Sequence, residues 1–171
     1  MTAPQKQAIC AGTFDPPTLG HLNIIDRGLK IFDKLIVAVA INLDKKPLLT
    51  VAERVELLSA LLKEHPNVEV TSFDGLLVQF TEQRKVFTLL RGIRNMSDYE
   101  YESQMALVNK ALSPKIETVF MMTEGQYSHI RSTFIREILA VGGSCKGMIH
   151  PLVETVIKRK LSSRALLRDT V

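Results

Sequence analysis

Five short runs of apolar residues alternate along the chain with segments of helical periodicity. The runs cover residues 7–12, 35–41, 68–73, 86–90 and 116–122. Short strands that are apolar on both faces are typical of a parallel sheet covered by helices. Strands that alternate with helices favour crossover connections between parallel neighbours. The sequence therefore predicts an α/β fold, a Rossmann-like, five-stranded parallel sheet with helices on both faces.

Six helices are predicted between and after these runs, over residues 18–32, 50–62, 76–83, 97–112, 133–141 and 151–161. Thr50 with Glu53, and Ser97 with Glu100, have the spacing of a capping box, in which both side chains satisfy free N–H groups at a helix start. No internal repeat or linker interrupts the pattern. We therefore expect one domain over residues 1–171, with a C-terminal helix and basic tail from about residue 151.

The composition excludes several classes of protein. Hydrophobic residues make up 46% of the chain, but no apolar run reaches the roughly 18 to 20 residues that span a bilayer. The polar first seven residues lack the pattern of a signal peptide, so we expect a cytoplasmic protein with no membrane partner. Cys10 and Cys145 lie far apart, which predicts no disulfide and no metal box, and Cys10 is expected to be buried.

The formal net charge of +4 suits either nucleic acid or small phosphorylated substrates. Much of the excess lies in the tail, where we expect the solvated face of a helix: Lys158, Arg159, Lys160, Arg164 and Arg168. Trp is absent, and no basic stripe is interleaved with aromatic residues. Nucleic acid is therefore not the expected partner, although an RNA-binding module that uses the tail remains an alternative.

The sharpest polar segments follow the predicted strands directly. They are residues 12–15, 42–47, 91–94 and 128–133, after the first, second, fourth and fifth strands. In an open parallel sheet, ligands bind beyond the carboxyl ends of the strands. We expect these four segments, which are distant in sequence, to meet at one edge of the sheet.

Residues 12–21 are the most informative of these segments. Gly12 follows the first strand and is expected to let the backbone turn tightly beside a phosphate. Thr18 and His21 are three residues apart at a helix start, so they face the same way. N–H groups there attract anions, and an imidazole can donate to phosphate oxygens, while Gly20 leaves room for a nucleotide. The structural alternative is that His21 only caps the helix or packs against its neighbours, but the strand–loop–helix context favours a phosphate site.

Several blocks of the chain resemble a known family. Residues 12–21 resemble the T/HxGH signature of the nucleotidyltransferase superfamily, whose fold is that of class I aminoacyl-tRNA synthetase catalytic domains. Within it, residues 8 to about 161 are similar to the phosphopantetheine adenylyltransferases, in the blocks GTFDP, TLGH, LRGIR, DYEYE and MALVN. Mononucleotide adenylyltransferases, which act on nicotinate or nicotinamide mononucleotide, usually have His in place of Thr18 and lack the LRGIR and DYEYE blocks.

The resemblance implies an activity and its partners. It implies transfer of AMP from ATP to 4′-phosphopantetheine, giving dephospho-coenzyme A and pyrophosphate, the penultimate step of coenzyme A synthesis. It also implies Mg²⁺ bound to ATP, a homohexamer, and coenzyme A as a feedback inhibitor. The reaction is an in-line attack without a covalent enzyme intermediate, in which positioning and charge neutralisation supply most of the acceleration. Because no His, Cys, Asp and Glu cluster has structural-metal spacing, no protein-held metal is expected.

The resemblance also implies roles for individual residues. His21 would donate to the α-phosphate and Thr13 would hydrogen-bond where the two substrates meet. Lys45 would bridge the acceptor phosphate and the developing charge, and Arg91 would hold the acceptor phosphate. Leu77, together with Leu76, would contact the pantetheine arm. The catalytic residues implied are thus His21, Lys45 and Arg91.

The ATP site is implied to combine the first loop, the fourth strand end and the turn before the fifth helix. Its residues are Thr13, Phe14, His21, Gly92, Ile93, Arg94, Glu102, Tyr127, Ser128, His129, Ile130, Arg131, Ser132 and Thr133. The turn offers hydroxyls and free N–H groups for the β- and γ-phosphates. Arg131 departs from the family, which usually has a small hydroxyl residue there, so its role stays open.

Each role has a structural alternative. Lys45 and Lys46 would be a solvated loop, Glu102 would pair with a neighbouring base, and Leu76 and Leu77 would be plain core. Arg91 and Arg94 would be surface charges, and Ser132 or Thr133 would serve as an ordinary N-cap. Three functional alternatives also stay open: a related enzyme with another acceptor, a nucleotide-binding regulator without catalysis, and the RNA-binding module.

Overall fold

The central sheet contains five parallel strands. The computed structural model describes residues 5–41 and 47–168. The strands are β1 (Gln7–Gly12), β2 (Lys34–Ala40), β3 (Val68–Phe73), β4 (Thr88–Ile93) and β5 (Glu117–Met122). Their order across the sheet is β3-β2-β1-β4-β5, and every neighbouring pair is parallel. The Rossmann-like sheet predicted from the sequence is confirmed.

Six helices and one 3₁₀ turn connect and follow these strands. The helices are α1 (Leu19–Gly28), α2 (Val51–Leu61), α3 (Leu77–Arg84), α4 (Met96–Leu112), α5 (Ser132–Ala140) and α6 (Pro151–Arg168). The 3₁₀ turn covers Gly125–Tyr127. In the described part of the chain, no helix is long and apolar enough to cross a bilayer.

The two predicted capping boxes have different outcomes. At α2 the prediction is confirmed, because the Thr50 hydroxyl accepts from the Glu53 N–H and the Glu53 carboxylate accepts from the Thr50 N–H. At α4 the prediction of a Ser97 cap is wrong. The N-cap is Asn95, which has the extended backbone that an N-cap requires and whose Oδ1 accepts from the Asp98 N–H at 3.0 Å. Ser97 lies inside the helix and is exposed.

Alternate residues of the central strands pack into hydrophobic layers on opposite faces of the sheet. On one face Cys10 packs with Ile25 of α1 and Leu58 of α2. On the other face Ile9 packs with Phe80 of α3. Cys10 is buried as predicted, and burial raises the pKa of its thiol to about 11, so it is an unreactive core residue. Helices therefore cover both faces, as the apolar strands predicted.

The last two helices form a third hydrophobic cluster next to α2. Ile135 of α5 and Ile157 of α6 are fully buried there with Leu57 of α2. Lys160 forms an ion pair with Glu53 of α2, and its side chain is only 18% exposed. The expectation that Lys160 belongs to a solvated basic face is therefore wrong, because the residue helps to attach α6 to α2. This packing fixes α5 beside the sheet.

A crevice opens where the chain direction across the sheet reverses. The chain passes from β1 to β2 and β3 on one side, and then returns to add β4 and β5 on the other. β1 pairs with β2 along its whole length, but pairs with β4 at Ile9 and Leu89. Beyond that pair, the Arg91 guanidinium inserts between the strands and donates to the Ala11 carbonyl. Such a switch point is where open α/β sheets bind ligands, at the carboxyl ends of the strands.

The fourth strand lies further along the chain than predicted, at Thr88–Ile93 instead of residues 86–90. The sequence placed its end at Leu90, whereas Arg91, Gly92 and Ile93 continue the ladder opposite β5. An arginine is accommodated there because its side chain finds polar partners within the crevice. The Cβ of an alanine at Gly92 would lie 2.9 Å from Cγ1 of Ile24, so α1 packs directly on this strand position. The fold thus brings α1 and the end of β4 into contact.

The cap of α4 gives a test of these assignments. Asn95→Ala should lower the free energy of unfolding by about 1 kcal/mol, because the side-chain acceptor for the Asp98 N–H is lost. Ser97→Ala is the matched control and should change it by less than about 0.5 kcal/mol, as expected for an exposed helical position. Urea unfolding measures both. Equal losses for the two variants would contradict the assignment of Asn95.

Candidate active site

The loop between β1 and α1 has an unusual backbone conformation at Phe14. Its φ angle is 49°, in the left-handed region that bulky residues rarely adopt, and its side chain is only 2% exposed. Gly12 does not have a positive φ, so the left-handed conformation in this loop belongs to Phe14, and the predicted approach of Gly12 to a phosphate stays a prediction. A Cβ at Gly12 would lie 3.3 Å from the Phe14 ring. Glycine is therefore suited to this position because the ring lies directly over it.

Asp15 holds this loop against two other parts of the chain. Its carboxylate accepts from the backbone N–H of Leu48 at 2.8 Å and of Leu49 at 2.9 Å, just before α2. It also accepts from Arg136 of α5 at 3.2 Å, and it is 6% exposed. A buried carboxylate with three donors forms strong, charge-assisted bonds. Sequence reasoning missed this residue, although an acidic residue between Phe14 and Pro16 at a strand end was a usable signal.

Thr18 and His21 form a reciprocal capping box at the start of α1. The Thr18 hydroxyl accepts from the His21 N–H at 3.3 Å, and His21 Nδ1 accepts from the Thr18 N–H at 3.0 Å. Because a backbone N–H can only donate, Nδ1 must be unprotonated in this arrangement. A neutral His21 therefore has its proton on Nε2. The bland alternative, a capping histidine, and the functional prediction are both compatible with this geometry.

The surroundings of His21 favour the neutral imidazole. Burial, together with the positive charges of Arg94 and Arg91, lowers the pKa of His21 from 6.5 to about 4. The ring packs edge-on against Phe14, with centroids 5.0 Å apart. At neutral pH the free protein thus presents an Nε2–H donor at a fixed position. Such a donor suits an anionic oxygen.

Arg91 is locked by a bidentate ion pair with Glu102 of α4. Nε and Nη2 donate to the two carboxylate oxygens at 2.7 and 2.5 Å, while Nη1 donates to the Ala11 carbonyl. Burial disfavours the charge on Arg91, but the hydrogen bond and charge of Glu102 outweigh it and raise the pKa of Arg91. The alternative that Arg91 is a surface charge is excluded. The alternative that Glu102 pairs with a neighbouring base is confirmed, and its contact with a nucleotide stays a prediction.

Arg94 is held in a similar way at the end of β4. Nε and Nη2 donate to the Asp98 carboxylate at 2.7 and 3.1 Å, and Nη1 donates to the Ile130 carbonyl at 2.9 Å. Burial tends to raise the pKa of Asp98, but the bond and charge of Arg94 lower it overall. Arg94 therefore connects α4 to the segment just before α5.

The N-terminus of α5 faces the same crevice. No side chain among residues 5–41 and 47–168 caps this helix, whose N-cap is Arg131. The alternative of a Ser132 N-cap is wrong, because the Ser132 hydroxyl donates to the Pro16 carbonyl at 3.0 Å and so joins α5 to the first loop. The Arg131 guanidinium lies over the Phe134 ring at 5.8 Å. Uncapped N–H groups at a helix start favour an anion.

These elements enclose a cleft of about 390 Å³ at the switch point. The predicted site residues that line it are Thr13, Phe14, His21, Arg91, Gly92, Arg94, Glu102, Ile130, Arg131, Ser132 and Thr133. Within the described residues, the lining does not include Ile93, Tyr127, Ser128 or His129. Ile93 is 2% exposed, in the core, and the Ser128 hydroxyl donates to the Gly125 carbonyl inside its own turn.

A smaller, mainly apolar pocket of about 100 Å³ lies on the other side of the Arg91–Glu102 pair. Leu77 and Met105 are among its lining residues, together with the buried side chain of Asn109. Leu76 does not belong to the described lining and is 56% exposed, so it is not the core residue that one alternative expected. Arg91 and Glu102 line both cavities and form the wall between them.

Two further predictions concern Lys45 with Lys46 and the metal. Lys45 and Lys46 lie outside the described residues. For the metal, no group of three His, Cys, Asp or Glu side chains suited to a metal ion occurs in the described part of the chain. The cleft contains the carboxylate of Glu102, which is already bound to Arg91. Its other charged groups are cations, so the cleft fits a polyphosphate.

Comparisons with known proteins identify the family of the chain. A model of the cytidylyltransferase-like family matches residues 9–138. The phosphopantetheine adenylyltransferase of Clostridium botulinum strain Hall is 46% identical over 159 residues, covering 93% of this chain and 97% of that protein. The chain belongs to the phosphopantetheine adenylyltransferase family. The member of this family from Clostridium tetani is 47% identical over 153 residues, which cover 89% of this chain and 96% of that protein.

A solved structure supports the fold of this family member. The crystal structure of a candidate nicotinate-nucleotide adenylyltransferase from Vibrio parahaemolyticus matches with a TM-score of 0.61. The match covers 90% of this chain and 99% of that chain, with 23% sequence identity. At that identity the likeness concerns the arrangement of strands and helices, which is the Rossmann-like one predicted.

The protonation state of His21 can be measured directly. Long-range ¹H–¹⁵N NMR spectra of the free protein should show a neutral ring with the proton on Nε2 at pH 7. The titration should give a pKa near 4, well below the ordinary 6.5, because of burial and the two arginines. A ring that titrates at or above 6.5, or that carries its proton on Nδ1, would contradict the capping geometry.

The same pKa predicts how stability depends on pH. Between pH 6.5 and about 4 the unfolded chain binds a proton at His21 that the folded chain does not, so this contribution to stability is complete above pH 6.5 and is lost as the pH falls. The free energy of unfolding, measured with urea, should therefore fall more between pH 7 and pH 5 for the wild type than for His21→Gln. An identical pH dependence of the two proteins would be evidence against the lowered pKa.

Proposed function

We propose that this protein transfers AMP from ATP to 4′-phosphopantetheine, with dephospho-coenzyme A and pyrophosphate as products. The observation that carries the proposal is the position of His21. It presents a neutral Nε2–H donor in the switch-point cleft, which the first loop and the N-terminal residues of α5 also line. The identity to phosphopantetheine adenylyltransferases over most of the chain supports this acceptor.

The proposed reaction needs no covalent bond to the protein. An oxygen of the acceptor phosphate forms a bond to the α-phosphorus of ATP, the bond from that phosphorus to the bridging oxygen breaks, and pyrophosphate leaves with the electron pair. Charge accumulates on the equatorial and leaving oxygens in the transition state. A fixed donor that meets this charge accelerates the reaction because it needs no reorganisation. In this proposal His21 is that donor.

The nucleotide would occupy the larger cleft. Thr13 and Phe14 would contact it from the first loop, while Gly92, Ile93 and Arg94 would contribute from the end of β4. The segment 127–133 would hold the β- and γ-phosphates, and the uncapped N–H groups of α5 together with the Arg131 guanidinium at the cleft support this role. Ile93, Tyr127, Ser128 and His129 would act through the neighbouring residues that they position, because none of the four belongs to the described lining.

The acceptor would extend across the Arg91–Glu102 wall. Its phosphate would bind Arg91 and Lys45, and its apolar arm would enter the smaller pocket beside Leu77. The pocket's volume of about 100 Å³ and its lining by Leu77 and Met105 suit an apolar chain rather than a charged group. Glu102 would then meet the nucleotide from the opposite side of the same wall. Arg91 stands between the two pockets, which is where the attacking phosphate is required.

Mg²⁺ is proposed as the companion of ATP. The cleft residues would hold the phosphates through His21, Arg94 and the α5 N-terminus, and the ion would complete the neutralisation of phosphate charge. Because Glu102 already binds Arg91, phosphate oxygens and water are the ligands that suit the ion here. We also propose, from the family resemblance, a cytoplasmic homohexamer that coenzyme A inhibits.

The acceptor assay tests the proposal as a whole. The protein should release pyrophosphate from ATP and Mg²⁺ when 4′-phosphopantetheine is added, and should not do so with nicotinate mononucleotide. Tight ATP binding without pyrophosphate release would instead indicate a nucleotide-binding regulator. Turnover with the mononucleotide alone would overturn the proposed acceptor.

His21→Gln isolates the catalytic role from the structural one. Glutamine at this position of a capping box can still accept from the Thr18 N–H, so the helix start should be retained. The loss of the imidazole donor should lower kcat by about 10²- to 10³-fold, with a smaller change in ATP affinity. A folded His21→Gln protein with near-normal kcat would refute the role. Any further loss of kcat in His21→Ala, relative to His21→Gln, measures the contribution of the helix cap.

A further inference from the structure

Arg54 is a buried arginine that contacts neither of the two cavities assigned above. It lies on α2, is 3% exposed, and is absent from the described linings of the nucleotide cleft and the acceptor pocket. A buried guanidinium without a strong ion pair is costly to desolvate. Burial lowers the pKa of Arg54, and the nearby Asp15 charge opposes this only in part. A residue of this kind needs an explanation beyond packing.

Its hydrogen bonds go to backbone carbonyls of three separate segments. Nη1 donates to the Thr13 carbonyl at 2.7 Å and to the Ala40 carbonyl at 3.4 Å, and Nε donates to the Thr50 carbonyl at 3.3 Å. Ala40 is the last residue of β2, and Thr50 is the N-cap of α2. One side chain therefore joins both ends of the β2–α2 connection to the first loop of the cleft.

The bond to Thr13 controls the orientation of a peptide in the cleft. A trans peptide directs its C=O and its N–H to opposite sides. Because the Thr13 carbonyl faces Arg54, the N–H of Phe14 is turned away from α2. The following residue is held at a φ of 49°, a strained value that persists only where surrounding contacts over-determine it. Arg54 supplies one of those contacts, and the Asp15 bonds to Leu48 and Leu49 supply others.

We propose that Arg54 is a positioning residue for group transfer, which fixes the first loop and the β2–α2 connection at one mutual distance. The inference rests on the proposed function, in which Thr13 and Phe14 meet the nucleotide and the β2–α2 connection carries Lys45. Arg54 does not line the nucleotide cleft or the acceptor pocket. It acts by holding the first loop against Ala40 and Thr50 at the two ends of the β2–α2 connection, and small misplacements of groups that meet a substrate have large effects on rate.

The test uses variants that separate rate from stability. Arg54→Met retains volume but leaves the carbonyls of Thr13, Ala40 and Thr50 without this donor, so the unfolding midpoint should fall. At a temperature where the variant is still folded, its kcat should be lower by about 10²-fold, with the KM for ATP changed by less than about threefold. Arg54→Lys retains a cation but reaches fewer carbonyls, and its kcat should fall by about tenfold.

Arg84→Met is the matched control. Arg84 is a half-buried arginine of α3 that pairs with Glu69 near the amino end of β3, at the edge of the sheet opposite the cleft. Its loss should alter the unfolding midpoint slightly and leave kcat unchanged. If Arg54 had a merely structural role, Arg54→Met would behave like this control, with a changed midpoint and a normal kcat for the folded protein.

The outcomes separate this inference from the proposed function. If the wild type releases no pyrophosphate with 4′-phosphopantetheine, the proposed function fails. If the wild type is active and folded Arg54→Met has a kcat within about twofold of it, the positioning role is overturned. Should Arg54→Met not fold, Arg54→Lys decides, and a wild-type kcat in that variant also overturns the role.

Discussion

The pair of hydrogen bonds between Thr18 and His21 sets the chemistry of the cleft. A glutamate in the position of His21 would form the same box with a negative charge, whereas the imidazole uses one nitrogen for the cap and leaves the other for a ligand. The backbone N–H of Thr18 dictates which nitrogen carries the proton. Helix start, ring orientation and tautomer are therefore consequences of one local interaction, which does not depend on distant parts of the chain.

The distant parts supply the electrostatic field. Arg91 and Arg94 each bind a carboxylate of α4 and a backbone carbonyl of another segment, so their charges are fixed in place before any ligand arrives. Burial is the main cause of the lowered pKa of His21, and both charges add to it, so the ring stays neutral in the free protein. A bound polyphosphate would counter these charges and so raise the pKa of His21 back towards its ordinary value, while Nε2–H remains a donor in either protonation state. The cost of arranging the cations is thus met during folding rather than during the reaction.

The sequence predicted the features that depend on neighbouring residues, and missed those that depend on contacts between distant parts of the chain. The strands were recognisable because buried parallel strands are apolar on both faces, and the Thr50 cap because its signal is local. The cap of α4 was missed because Asn95 and Ser97 both suit the role and only the backbone decides between them. The Arg91–Glu102 pair joins a strand to a helix, and no sequence pattern encodes such a partner. The left-handed Phe14 likewise had no signal.

Arg54 and Asp15 were detectable in principle, since each interrupts an otherwise apolar setting. Arg54 lies between Val51 and Leu58 on the buried side of α2, where a hydrophobic residue would be ordinary. Hydrophobic contacts are non-directional and would hold the loops near each other without orienting their peptides. Hydrogen bonds to carbonyls have preferred angles and lengths. They therefore fix the orientation of the peptides as well as the distance between them. The buried charge of Arg54 beside the first loop is explained on this basis, because the proposed transfer reaction needs groups held in a fixed orientation.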